Sequence, residues 1–254
     1  MTELAEIKIT SQYINNACEN IKFNEIFDYN KNISLFKEND FYVQSFSTGK
    51  ELRVDLIKDF KIIKSIFFSL GMTGTFSFCE KDKYKHNRLS FLSNGDKNLN
   101  LIDIRKFAKW RFDEDWSKNR GPCPVSEFDL FNSQLSKAIS GKTNYFLKRD
   151  ISEVLLDQKY FNGIGNYLRA EILYRAKILP SRNSYTVLSD SENFLLITNL
   201  CKSVAEEAIY LGGGQIKNWK NPFGKEKVNF SNWLKVYGRG ENYIDKTKRR
   251  IWFN

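Results

Sequence analysis

Two glycines flank Ile164 in Lys159-Tyr160-Phe161-Asn162-Gly163-Ile164-Gly165-Asn166, directly ahead of a helix start. A turn of this kind lets backbone N–H groups and the positive end of the helix approach an anion such as a phosphate, and Asn166 can add a side-chain donor. The same spacing equally suits a tight helical hairpin whose glycines serve turn geometry alone. At the N-terminus, Glu3 and Glu6 fall in the first turn of an expected helix, where acids complement the dipole without further purpose. Lys50 follows Gly49 in a hairpin, a setting that by default is solvated surface. The run Lys248-Arg249-Arg250 precedes Ile251-Trp252-Phe253, which argues for a packed hairpin over a charged tail.

These groups need elements to hold them. Ile7, Ile14, Ala17, Cys18 and Ile21 recur at helical spacing, so an amphipathic helix is expected over 2–20. From about Phe41 to Phe112 the pattern turns to short strands: 41–43, 52–56, 62–68, 88–92 and 100–102, with a hairpin signal at Ser93-Asn94-Gly95-Asp96. A sandwich or flattened barrel is expected there. After Arg120-Gly121-Pro122-Cys123-Pro124 the apolar spacing becomes helical, which sets the predicted domains at 1–119 and 120–254. Helices are predicted at 128–140, 151–158, 165–177 and 194–210, then a polar basic loop at 217–227, a short helix and two strand-like pieces. The fold class is α+β and bilobal.

Composition narrows the partners. Forty Lys and Arg against thirty Asp and Glu give a net charge of +10, which favours a polyanion. Four well-separated cysteines form no C-x-x-C pair, which excludes a zinc ribbon or redox couple by spacing and suggests reduced, buried thiols. No apolar run approaches the roughly 18 to 20 residues of a membrane span, and no leader pattern opens the chain, so an intracellular soluble protein is expected.

The run Leu155-Leu156-Asp157-Gln158-Lys159-Tyr160-Phe161-Asn162-Gly163-Ile164-Gly165-Asn166-Tyr167-Leu168-Arg169-Ala170-Glu171-Ile172-Leu173-Tyr174 resembles the helix-two-turns-helix motif of formamidopyrimidine-DNA glycosylase and endonuclease VIII, the Fpg/Nei family. The resemblance extends in order along the chain. Gly49-Lys50-Glu51-Leu52-Arg53 is similar to the family's lysine-bearing hairpin, Leu70-Gly71-Met72-Thr73-Gly74 to its Met-bearing loop, and Asp103-Ile104-Arg105-Lys106-Phe107 to its Arg/Phe loop. Arg120-Gly121-Pro122-Cys123 resembles the interdomain linker. Thr247-Lys248-Arg249-Arg250-Ile251-Trp252-Phe253, with no cysteine ligands, resembles the end of the zincless finger of eukaryotic Nei-like enzymes, here about 237–254.

The resemblance implies a bifunctional glycosylase and abasic-site lyase of base excision repair that acts on damaged double-stranded DNA as a monomer. It implies neither metal nor organic cofactor, and duplex DNA held in a basic cleft. Removal of Met1 would leave the α-amine of Thr2 to attack C1′, expel the base and form an imine. An α-amine titrates at about 7.7–8.0, and the positive end of a helix lowers that value. Glu3 would shuttle protons and Glu6 would support it. Lys50 would contact phosphate beside the lesion and assist catalysis. Met72, Arg105 and Phe107 would fill the void left by the extruded nucleotide, while Asn166, Arg249, Lys235, His86 and Arg88 would reach phosphates. Oxidised pyrimidines and ring-opened formamidopyrimidines are the implied substrates, in the nucleus if the bearer is a eukaryote.

The chain departs from the family at Thr2, where proline is usual, at Leu4-Ala5 in place of Gly-Pro, and at Arg88, where a histidine is common. The stretch Gly214-Gln215-Ile216-Lys217 also matches the lesion-recognition loop poorly. A lesion-binding protein that has lost catalysis and an RNA-binding protein are the alternative readings.

Overall fold

A computed structural model describes residues 2–80, 85–214, 219–224, 230–246 and 248–254. The chain divides into two compact units, one of Met1–Thr2, Glu6–Trp116 and Gly214–Glu226, the other of Glu3–Ala5, Ser117–Gly213 and Lys227–Asn254.

The first unit takes most of α1 (Leu4–Ala17) and eight strands: β1 (Phe23–Asp28), β2 (Ile33–Thr48), β3 (Glu51–Lys58), β4 (Lys61–Ser69), β5 (Thr75–Glu80), β6 (Asn87–Ser93), β7 (Lys97–Ile102) and β8 (Lys109–Phe112). They form one antiparallel sheet in the order β5-β7-β6-β1-β2-β3-β4-β8. The long β2 makes the doubling over possible, since Ile33–Phe41 pairs with β1 and Tyr42–Thr48 pairs with β3. Phe68 of β4 and Phe91 of β6 are separated by β1, β2 and β3 in that order, yet their ring centroids are 6.4 Å apart. The two halves therefore face each other as a sandwich. Ile7, Ile14 and Cys18 of α1 join Phe23, Val54, Ile66 and Leu99 in the shared core.

Strands begin earlier than residue 41, and the reason is local. In β1 the register shifts between Phe23 and Glu25 and again between Ile26 and Phe27, so bulges break the two-residue alternation that marks a strand in sequence. The first half of β2, Ile33 to Asp40, is half-buried or exposed throughout and carries no apolar face. All four cysteines are buried and unbonded, and burial pushes the Cys18 thiol up to about 12.

The second unit is helical: α2 (Phe128–Ser140), α3 (Asn144–Leu147), α4 (Ile151–Val154), α5 (Asn166–Ala176), α6 (Ser184–Leu188), α7 (Ser191–Tyr210) and α8 (Phe230–Trp233), followed by an antiparallel hairpin of β9 (Glu241–Ile244) and β10 (Arg250–Phe253). The helix expected to reach Gln158 stops at Val154. Gln158 instead closes the turns that follow, its Oε1 accepting from Gly163 N at 2.9 Å and its Nε2 donating to the carbonyls of Leu156 (2.8 Å) and Ile164 (3.0 Å). Conversely α7 begins three residues early, because Asp190 caps it by accepting from Asn193 N at 2.8 Å. Within α5, Tyr167 to Leu173 are all buried, which makes it the central helix of this unit. No described helix is long and apolar enough to cross a membrane. Of the predicted basic loop at 217–227, residues 217–218 and 225–227 lie outside the described set, and 219–224 form no helix or strand.

Phe68 meets both Phe76, at 5.2 Å edge-on, and Phe91. Its replacement, Phe68→Ala, is expected to cost about 3–5 kcal/mol. A lower denaturant midpoint at unchanged slope, by circular dichroism, would show it.

Candidate active site

In the first unit Thr2 is 4% exposed, and its two donors meet one acceptor: N and Oγ1 donate to the Gly71 carbonyl at 3.0 and 2.9 Å. That carbonyl belongs to the loop that carries Met72. Gly71 has φ +64°, and a Cβ there would lie 2.8 Å from the Cβ of Phe107, so only glycine fits. The Met72 and Arg/Phe loops are tied together by buried Asp103, which accepts from Thr73 Oγ1, from Arg105 N at 3.2 Å and from Ala108 N at 2.7 Å. The tie gathers the predicted trio. Arg105 stacks over the Phe107 ring at 4.7 Å and points a guanidinium nitrogen at the Met72 sulfur at 3.8 Å. Phe107 remains 46% exposed, apolar surface that the fold itself leaves uncovered.

Lys50 sits in the two-residue turn between β2 and β3, half-buried, beside Glu51, whose carboxylate is paired with Arg111 at 2.8 Å. Glu6 is buried on α1 and accepts from Gly214 N at 2.6 Å; Gln215 to Lys217, the rest of the stretch that matches the family poorly, lies outside the described residues. His86 is exposed, and its backbone carbonyl accepts from Asp103 N at 3.1 Å. Arg88 is more engaged than a surface cation. It lies over Trp110 at 5.6 Å, donates to Asn30 Oδ1 at 2.5 Å and stands 3.9 Å from Asp103.

In the second unit the Gly163-Ile164-Gly165 turn does receive an anion, but that anion is the protein's own. Glu3, 1% exposed, accepts from Gly165 N (2.9 Å) and Leu168 N (3.2 Å) at Oε2 and from Tyr167 N (3.0 Å) at Oε1. The carboxylate thus occupies the start of α5 that sequence reasoning offered to a phosphate, and its charge meets the positive helix end. A Cβ on Gly165 would stand 2.2 Å from Glu3 Cδ, which explains the glycine.

Asn166 turns toward the C-terminal hairpin, donating to the Arg250 carbonyl at 3.2 Å and accepting from Arg169 at 2.5 Å. Arg169 is fully buried, as is its partner Asp245 at 3.0 Å, and it also donates to the carbonyls of Ser152 (3.1 Å) and Arg250 (3.3 Å). Burial lowers the Arg169 pKa from its ordinary value, and Asp245 opposes that shift. Asp245 in turn accepts from Arg249 N at 2.9 Å, fixing the turn from which the exposed Arg249 side chain projects. Glu171, also fully buried, takes the backbone N–H groups of Lys235 (2.9 Å), Val236 (3.0 Å) and Tyr237 (3.0 Å) and so presents the exposed Lys235. Asp103, Arg169, Glu171 and Asp245 are buried charged groups that hold segments bearing the predicted site residues, and sequence reasoning assigned them no role. A signal existed in α5, where Arg169 and Glu171 stand among residues apolar on every side, so that charges there must be buried and paired.

Comparison with known proteins places the same segments. A family model described as the formamidopyrimidine-DNA glycosylase N-terminal domain matches residues 1–110, and one described as the formamidopyrimidine-DNA glycosylase H2TH domain matches residues 123–220. Endonuclease 8-like 1 of Homo sapiens is 31% identical, covering 100% of this chain and 72% of that protein. The formamidopyrimidine-DNA glycosylase of Mycoplasmopsis pulmonis is 26% identical over 99% of this chain and 92% of its own length. Among solved structures, the MutM (Fpg) protein of Thermus thermophilus superposes with TM-score 0.78 at 21% identity, covering 99% of this chain and 97% of that one. Lactococcus lactis Fpg bound to abasic-site DNA does so with TM-score 0.78 at 22% identity and the same coverage. The α+β fold expected from sequence is the one observed.

Two outcomes follow from the second unit. Gly165→Ala forces Glu3 off the three N–H groups, and lyase turnover on abasic DNA is expected to fall by about 10²-fold with the far-ultraviolet dichroism unchanged. Arg169→Met leaves Asp245 buried without its partner and should cost about 3–5 kcal/mol by denaturant titration, whereas Arg169→Met with Asp245→Leu should restore much of that loss.

Proposed function

The chain belongs to the Fpg/Nei family of base-excision DNA glycosylases, and from that premise we propose that it attacks damaged duplex DNA through the α-amine of Thr2, freed by removal of Met1. It is a DNA glycosylase with abasic-site lyase activity. The observation that carries the assignment of residues is Glu3, an acid next in the chain to Thr2, buried and held by three backbone N–H groups. An acid fixed in this way has little freedom to wander and suits proton transfer at one atom.

In the proposed sequence the Thr2 nitrogen bonds to C1′ as the glycosidic bond breaks, the base leaves with the bonding electron pair and takes a proton from water, and Glu3 receives the proton that the attacking amine gives up and passes it to the sugar ring oxygen. The resulting imine acidifies C2′, and loss of that proton expels the 3′ phosphate by β-elimination. Extruding a nucleotide costs a few kcal/mol of stacking, and Met72, Arg105 and Phe107 offset part of it by occupying the gap. Lys50 holds a phosphate beside the lesion. Asn166, Arg249, Lys235, His86 and Arg88 supply further phosphate contacts, and Glu6 supports the N-terminal turn.

We assign catalysis to residues 1–119 and duplex binding to 120–254, with 237–254 as a finger that needs no metal. The enzyme acts as a monomer on DNA inside the cell, in the nucleus of a eukaryote. Its substrates are oxidised and ring-opened bases and abasic sites, chemistry that the names of its structural neighbours carry: N7-benzyl-Fapy-dG, 8-oxo-G and an abasic site.

Intact-mass analysis should find Met1 absent, and borohydride should then crosslink the protein to an abasic or oxidised duplex through Thr2. Glu3→Gln should lower turnover by about 10²–10⁴-fold while binding persists. Retention of Met1, or no reductant-dependent crosslink with any lesion, defeats the assignment.

A further inference from the structure

We propose that the Thr2 hydroxyl is a second covalent participant, closing onto C1′ after the amine and storing the abasic adduct as a five-membered oxazolidine. This rests on the reading that Thr2 bears the free amine. The observation behind it is the convergence of Thr2 N and Oγ1 on the single Gly71 carbonyl, at 3.0 and 2.9 Å. Thr2 N is a peptide N–H here and becomes an amine once Met1 is removed; held with Oγ1 to one acceptor, the two atoms lie on the same side of Thr2, as ring closure on one carbon needs.

The chemistry balances without an oxidant or reductant. The amine adds to the C1′ aldehyde of the opened sugar, water leaves with the aldehyde oxygen, and a C=N bond forms. Oγ1 then adds to C1′, the C=N electron pair moves to nitrogen, and the hydroxyl proton follows it. The ring contains C1′, N, Cα, Cβ and Oγ1, and its remaining N–H keeps the Gly71 carbonyl as acceptor. In this form C1′ is saturated and draws no electrons from C2′, so β-elimination pauses with the strand intact until the ring reopens. A proline at the same position has the amine and lacks the hydroxyl, so the device is open to this chain through its threonine. The enzyme therefore shelters an abasic aldehyde as well as cleaving it.

The test uses the full chain, with Met1 removal checked by intact mass, and a duplex whose abasic C1′ is labelled with ¹³C. The expected signal is a saturated carbon coupled to the ¹⁵N-labelled amine of Thr2 and replaced by an imine carbon in Thr2→Val. Thr2→Ser, which keeps an amine and a hydroxyl on adjacent carbons, should show the saturated carbon again. Borohydride crosslinking and nicking should be faster in Thr2→Val, by about tenfold if the imine is one tenth of the natural adduct. An imine carbon alone in the natural chain, with crosslinking in Thr2→Val no faster, overturns the oxazolidine while leaving the amine assignment intact. Absence of any crosslink in all three chains overturns that assignment, and the oxazolidine with it.

Discussion

A carboxylate docked on a helix start organises the second unit. Glu3 brings the extreme N-terminal segment to the beginning of α5 through three N–H groups, and Leu4 N adds a bond to the Gly163 carbonyl at 3.0 Å. Helix starts are satisfied by caps because four N–H groups there have no intrahelical partner. Most proteins use a neighbouring serine or aspartate for the purpose, whereas here the cap comes from a residue 162 positions away in sequence. The constraint explains Gly165, where a Cβ would stand 2.2 Å from Glu3 Cδ. A larger residue at 165 would not preserve the fit.

The same helix carries a second layer of buried charge. Arg169 reaches Asp245 and the Arg250 carbonyl, and Glu171 reaches the backbone of 235–237. Unpaired, each charge would be costly in so dry a setting; paired, each fixes the geometry of a segment bearing an exposed cation. Arg249 and Lys235 are thus aimed by residues that never face solvent. The arrangement holds a short hairpin of two four-residue strands to the helical body by ion pair and hydrogen bonds.

Much of this was legible in sequence, and what was not has definite causes. Ile7, Ile14 and Cys18 announced α1 because one face is apolar at helical spacing, and Phe128–Ser140 matched to the residue for the same reason. β1 escaped because its bulges disturb the alternation, and the outer half of β2 because neither of its faces is apolar. The candidate site residues Thr2, Glu3, Lys50, Met72, Arg105, Phe107 and Asn166 were singled out by motif resemblance. Their supports were not, because Asp103, Arg169, Glu171 and Asp245 act through contacts distant in sequence, such as the 76 positions between Arg169 and Asp245. Local pattern also could not decide which anion the glycine turn serves, since carboxylate and phosphate ask the same of backbone N–H groups.

Gly71 serves two neighbours at once. Its carbonyl restrains the Thr2 main chain, and the next residue along is Met72, half-buried against Arg105. One peptide link thus separates the oxygen that holds the Thr2 main chain from the side chain that meets Arg105. Any side chain at position 71 would disturb both at once, pressing on Phe107 and shifting the acceptor on which Thr2 N and Oγ1 converge.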